Sequence, residues 1–183
     1  MIGLIFNTLE KVVIREFGED TWDLLIEEAA SDGIYHAFGN YPDDEATRMV
    51  VIAAEKLDLT PEQVLQWFGD LAITEWQGKW PDLFDRFNNL FDYVLSLNDI
   101  IHPHVKELYP NANVPQFNLV SRDEHSMTIE YCSERSLCHL AEGLIMGSAR
   151  VFGEHVAVLQ PQCVHKGDPI CHLSITQSGL AAA

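Results

Sequence analysis

The chain has 183 residues, 47% of them hydrophobic, which suits a single domain with a sizeable core. Eleven Lys and Arg against 28 Asp and Glu give a net charge of −17, which argues against nucleic acid or an anionic membrane as the main partner. No apolar run approaches the roughly 20 residues of a membrane span, and the opening Met1-Ile2-Gly3-Leu4-Ile5-Phe6 lacks the basic flank of a signal peptide. The expected compartment is therefore the cytoplasm, where Cys132, Cys138, Cys163 and Cys171 should be thiols or metal ligands rather than a disulfide framework.

In chain order, Ile5, Leu9, Val12, Val13 and Phe17 recur at helical spacing and predict a helix over 3–17, ended by Gly18. Asp20 or Thr21 can cap a second helix, and 31–43, with Gly33, Gly39 and Pro42, reads as loop. A helix over 44–56 follows. Thr60-Pro61-Glu62-Gln63 carries an N-cap, a proline at the first helical position and a capping-box glutamine, so another helix runs to about Trp76. From Pro81 onward, Phe84, Phe87, Phe91, Val94, Asn98 and His102 step by three or four and predict one helix with an aromatic stripe. Pro103 should break or kink it at His102 and open a short helix to Leu108.

Beyond Pro110 the pattern changes. Segments 116–120 and 127–131 read as strands about a polar turn. Segment 135–152 reads as a helix whose small residues (Ala141, Gly143, Gly147, Ser148, Ala149) suit packing on a sheet. Segment 155–160 reads as a third strand, 162–165 and 170–175 as a hairpin about Lys166-Gly167-Asp168, and 177–183 as a disordered tail. The fold class is α+β: one domain over 1–183, with a helical part over about 1–110 packed on an antiparallel sheet with helices over 111–176.

Two groups of residues carry chemistry. Spacing of two places Tyr131, Ser133 and Arg135 on one face of a strand, a row of donors suited to carboxylates, although an ordinary exposed strand end has the same spacing. His102 ends an aromatic helix face. Such a histidine is a core residue, a helix-end cation or, in an apolar wall, an axial haem ligand. His104 is its local competitor and should face solvent. One imidazole, an aromatic wall and a row of carboxylate binders together match a group with one metal, a broad apolar plane and two propionates. Cys163 and Cys171 lie symmetrically about Gly167, and Cys138 opens the helix before them. Three thiols so placed suit zinc, with His155, His165 or His172 as fourth ligand, but they also suit free thiols or a thiol–disulfide redox pair. No phosphate-binding glycine loop, metalloprotease helix motif or nucleophile–base pair stands out, so a regulatory binding protein is favoured over an enzyme.

The spacing His102, Pro115, Tyr131-x-Ser133-x-Arg135 resembles the haem-nitric oxide/oxygen binding domain, H-NOX, the haem domain type of soluble guanylate cyclase and of stand-alone bacterial proteins. The opening residues, His102-Pro103-x-Val105-x-x-Leu108-Tyr109-Pro110 and Ala141-Glu142-Gly143-Leu144 fit as well, so the likeness covers almost the whole chain. It implies haem b with His102 on the iron, Tyr131, Ser133 and Arg135 on the propionates, and Pro115 and Ile5 against the macrocycle. Oxygen-binding members carry a distal tyrosine at the position of Leu140. A leucine there implies a sensor of nitric oxide, also binding CO, that discriminates against O₂. A donor from Trp67 or a nearby tyrosine would oppose that reading. The implied mechanism is release of His102 on NO binding and a shift of the front helices, read by a histidine kinase or diguanylate cyclase as partner. The likeness also implies zinc in some bacterial members on three cysteines and a histidine. The matching histidine position is Gln160 here, so the alternative function, a zinc/thiol redox-sensing module, lacks that ligand.

Overall fold

The computed structural model describes residues 1–178. The call of a disordered tail over 177–183 is corrected at its start, because Gln177 ends a strand; 179–183 lie outside the described residues. Seven α-helices and four strands follow in order: α1 (Gly3–Phe17), α2 (Glu19–Glu28), α3 (Asp43–Leu57), α4 (Pro61–Lys79), α5 (Leu90–Leu95), α6 (His102–Leu108), β1 (Gln116–Arg122), β2 (Ser126–Cys132), α7 (Cys138–Val151), β3 (Val156–Gln162) and β4 (Cys171–Gln177). The architecture is α+β, with a fully antiparallel sheet in the order β1-β2-β4-β3. One sheet face supplies Met127, Ile129, Tyr131, Leu173 and Ile175 to the main core, where Phe84, Phe91, Val94 and Ile145 meet them. The front helices hold a second core of Phe6, Val13, Trp22, Leu25, Tyr35 and Met49.

Local signals explain some helix ends. Thr60 Oγ1 accepts from Gln63 N and Gln63 Oε1 accepts from Thr60 N, so both halves of the capping box form at the start of α4. Gly18, at φ +90, separates α1 from α2 without a longer loop.

The aromatic stripe does not lie on one helix. Residues 81–83 form a single 3₁₀ turn, and the chain turns again before Asn89, whose side chain caps α5 by accepting from Asp92 N at 2.9 Å. Asparagines at 88 and 89 favour such local side-chain bonds over continued helix. Nor does the chain break at His102, which is α-helical at φ −66, ψ −38. The adjustment occurs one turn earlier. Leu97–Ile101 is π-helical, with the His102 N–H bonded to Leu97 O, five residues back. The wider turn gives room to the Pro103 ring, which in a regular α-helix collides with the carbonyl four residues before it.

Of the small residues of α7, Ala141 and Ala149 join the sheet residues in the main core, whereas the glycines face a helix. A Cβ at Gly143 would meet the Gln66 carbonyl, one at Gly147 the Asp70 carbonyl, and one at Gly69 the Leu140 carbonyl. Helices α4 and α7 thus approach backbone to backbone, which fixes where Leu140 and Leu144 stand.

Candidate haem site and thiol cluster

A cavity of about 390 Å³ lies between the helices and the sheet. His102, Pro115 and Phe117 form one wall. Ile5, Trp76, Leu140 and Leu144 form another, and Tyr131 and Arg135 stand at the edge. Residues 5, 102, 115, 131, 135 and 140, far apart in sequence, therefore converge on one space. Ser133 does not line it. The strand stops at Cys132, so Tyr131, Ser133 and Arg135 are not three steps along one strand face. Ser133 instead begins a turn in which Ser136 takes φ +51. Its Oγ accepts from Arg135 N at 3.2 Å, so it holds the turn that carries Arg135. Burial raises the Tyr131 phenol pKa, which keeps it a protonated donor.

His102 is held by the aromatic wall, with Phe117 at 5.9 Å between ring centroids. Burial lowers its pKa to about 4, the nearby Pro115 backbone opposing the shift in part, so the ring is neutral at neutral pH. Its buried Nδ1 makes no hydrogen bond of ordinary geometry. Metal-binding imidazoles usually direct one N–H at a carbonyl and offer the other nitrogen to the metal, and Pro115 stands ready for the first role. His104 is 41% exposed and lies 3.4 Å from Glu107, at the rim of the same cavity.

Arg135 Nε is also buried without a partner. Its other nitrogens reach the Asn113 carbonyl and, at 3.6 Å, Asp43. Two orphaned polar atoms on an apolar cavity, one imidazole and one guanidinium, fit a planar apolar group bearing a metal and carboxylates. The residues present therefore fit haem. Asn113 and Asp43 were not legible as site residues, since no local motif marks either one.

A family model described as Haem-NO-binding matches residues 2–160. The chain belongs to this haem-NO-binding family. A solved H-NOX protein from S. oneidensis in the Fe(II)NO ligation state superposes with a TM-score of 0.91 at 29% identity, over 98% of this chain and all of that one. The IWP-051-bound H-NOX from Shewanella woodyi gives 0.82 at 27% identity, over 100% of this chain and 97% of that one. Among curated relatives, the soluble guanylate cyclase gcy-32 of Caenorhabditis elegans is 26% identical over 159 residues, 83% of this chain. The chain spans only 23% of that relative's length.

The second predicted site is compact. Cys138 Sγ lies 3.7 Å and Cys171 Sγ 4.0 Å from Cys163 Sγ, and all three cysteines are buried. The β3–β4 register, which pairs Gln162 with His172, brings Cys163 and Cys171 together. Residues 164–166 form a 3₁₀ turn rather than a strand arm, and Asp168 Oδ2 accepts from Cys163 N.

Of the three histidines named from sequence, none joins the sulfurs. His155 is exposed at the start of β3, His172 lies opposite Glu130 on β2, and His165 Nε2 bonds Ser136 O. The histidine that does is His139. Its ring nitrogen lies within 4.8 Å of Cys138 and Cys163 Sγ. Gln160 Nε2 sits 2.9 Å from His139 Nδ1 and 2.7 Å from Glu142, so residue 160 contacts the histidine instead of supplying one. Adjacency to Cys138 was the available signal. It was missed because neighbours on a helix point about 100° apart, which alone argues against shared ligation. Burial, followed by the neighbouring thiols, raises the Cys138 pKa.

Proposed function

We propose that the chain is a nitric oxide sensor and not an enzyme, with His102 as the releasable iron ligand and a signalling protein as its reader. The observation that carries this is the convergence of neutral His102 and the partnerless Nε of Arg135 on one apolar cavity that Ile5, Leu140 and Leu144 also line. Haem, when bound, would supply a ferrous iron able to take diatomic gases, NO and CO among them. His102 would hold the iron, and Arg135 and Tyr131 would hold the propionates. Pro115 and Ile5 would press on the macrocycle, and Leu140 would offer a bound gas no hydrogen bond, which penalises O₂ more than NO.

His102 is the first residue of α6 and directly follows the π-helical turn. A residue at this place that bound and released iron would act on a helix junction already adapted to Pro103. A cytoplasmic partner, a bacterial histidine kinase or diguanylate cyclase, that binds one state better reads this as a population shift. The test is electron paramagnetic resonance of the reduced, haem-loaded protein with NO. A three-line hyperfine pattern, from the nitrosyl nitrogen alone, is expected. Further splitting by a histidine nitrogen, together with unchanged partner control in His102→Gly, sinks the switch.

The thiol cluster favours a second reading, zinc on Cys138, Cys163, Cys171 and His139, or a disulfide formed from two of the thiols on oxidation. Metal analysis separates the two. Zinc near one equivalent that is lost in His139→Ala and kept in His165→Ala supports ligation, and zinc-free protein with oxidation-sensitive thiols supports the redox arm.

A further inference from the structure

The wall of the cavity that carries Leu140 also holds an N–H donor. Trp76, on α4, packs with Ile5, Leu140 and Leu144 and lines the cavity. An indole N–H there could stabilise a polar gas adduct as well as a tyrosine could. It does not point into the cavity. Trp76 Nε1 donates to Thr8 Oγ1 at 3.0 Å, and Thr8 Oγ1 donates to the Leu4 carbonyl at 2.8 Å.

The direction of this relay is fixed. The Thr8 proton is committed to a carbonyl one helical turn back, so only its lone pairs face the indole. Thr8 is 4% exposed, buried on α1 with Phe6, Val12 and Val13, so its hydroxyl would carry a desolvation cost without these two bonds. The back-bond recurs at Ser148, another residue lining the cavity, whose Oγ donates to the Leu144 carbonyl at 2.8 Å.

We infer that Thr8 is a ligand-selectivity residue, which sequesters the Trp76 N–H and keeps the gas side of the cavity free of donors. The inference rests on the proposed haem gas site. Leucine at 140 removes one donor, but selectivity against O₂ also requires that a second donor lining the same cavity stay occupied.

The test uses haem-loaded, reduced protein with CO as probe. The C–O stretch falls in frequency when a donor approaches the oxygen. Wild type, Trp76→Phe and Thr8→Ser, which keeps the acceptor, are expected to share one frequency. Thr8→Val is expected to lower it, to speed exchange of the Trp76 indole proton in NMR spectra, and to lose the frequency shift in the Thr8→Val/Trp76→Phe double variant. A Thr8→Val frequency equal to wild type, or a shift in wild type on Trp76→Phe alone, overturns the inference. If Thr8→Val does not fold, Thr8→Ala carries the same comparison. Failure of the underlying reading is seen separately: wild-type protein that takes up no haem, or that binds O₂ reversibly, sinks the selective sensor whatever the variants do.

Discussion

At the residue scale, Arg135 and Leu140 make distinct contributions. The unpaired Arg135 Nε and its contacts to Asn113 and Asp43 describe a guanidinium arranged for one more carboxylate. Arg135→Ala is expected to weaken haem retention about 10- to 100-fold, the worth of one charge-assisted hydrogen bond. Haem transfer to apomyoglobin, timed by absorbance, measures it. Leu140→Tyr restores a donor next to the cavity and is expected to produce a reversible O₂-dependent absorbance change in reduced protein that wild type lacks. An unchanged spectrum in air-equilibrated buffer would show that position 140 does not set selectivity. Both residues were legible because they stand at fixed spacing from His102. Thr8, Trp76, Asp43 and Asn113 were not, because each acts through a contact between elements remote in sequence.

At the element scale, two devices position the site. The first is the glycine-lined crossing of α4 and α7. An added methyl at Gly143 would collide with the Gln66 backbone, which cannot swing aside as a side chain can. Gly143→Ala should destabilise the fold by about 1–3 kcal/mol or more, the usual range of core overpacking, read by urea unfolding. The second is Asn98 on the π-helical turn. Its amide donates to Phe117 O at 2.7 Å and accepts from Phe117 N at 3.0 Å, tying the turn before His102 to the edge strand β1. Asn98→Ala leaves both backbone groups unpaired, at an expected cost of about 1–2 kcal/mol, with faster hydrogen exchange at Phe117. The helix-period pattern placed Asn98 and His102 on one face but could not show the restart at Asn89 or the π-helical turn. Periodicity records which residues are buried together, and separate helical pieces that pack against one core give the same record.

At the scale of the whole molecule, haem held by His102 and Arg135 would bridge helices and sheet that otherwise meet across a cavity, so it should act as a folding ligand. Free haem at a hundredfold its dissociation constant stabilises by about 2.7 kcal/mol. In a chain of this size that raises the melting temperature by roughly 5–10 °C. Calorimetry of loaded and haem-free protein checks this, and equal midpoints would place haem outside the core. No helix among the described residues is long and apolar enough to cross a membrane. The net charge of −17 leaves most of the surface acidic, so docking of a basic partner face would weaken as salt rises.

The sequence by itself determined the fold class, the helix starts marked by caps and the opposition of Cys163 and Cys171, which follow from local chemistry or from register, both carried by spacing along the chain. The resemblance to H-NOX pointed to His102, Pro115, Tyr131, Arg135, Ile5 and Leu140, which line one cavity. Tertiary structure alone decided that Ser133 holds the turn that carries Arg135 instead of facing the cavity, that His139 is the histidine beside the thiols, and that Trp76 is turned onto Thr8. Those facts depend on the direction in which a side chain points across an interface. That direction is set by close packing between elements, here above all the backbone contact of α4 with α7, and no interval along the chain encodes it.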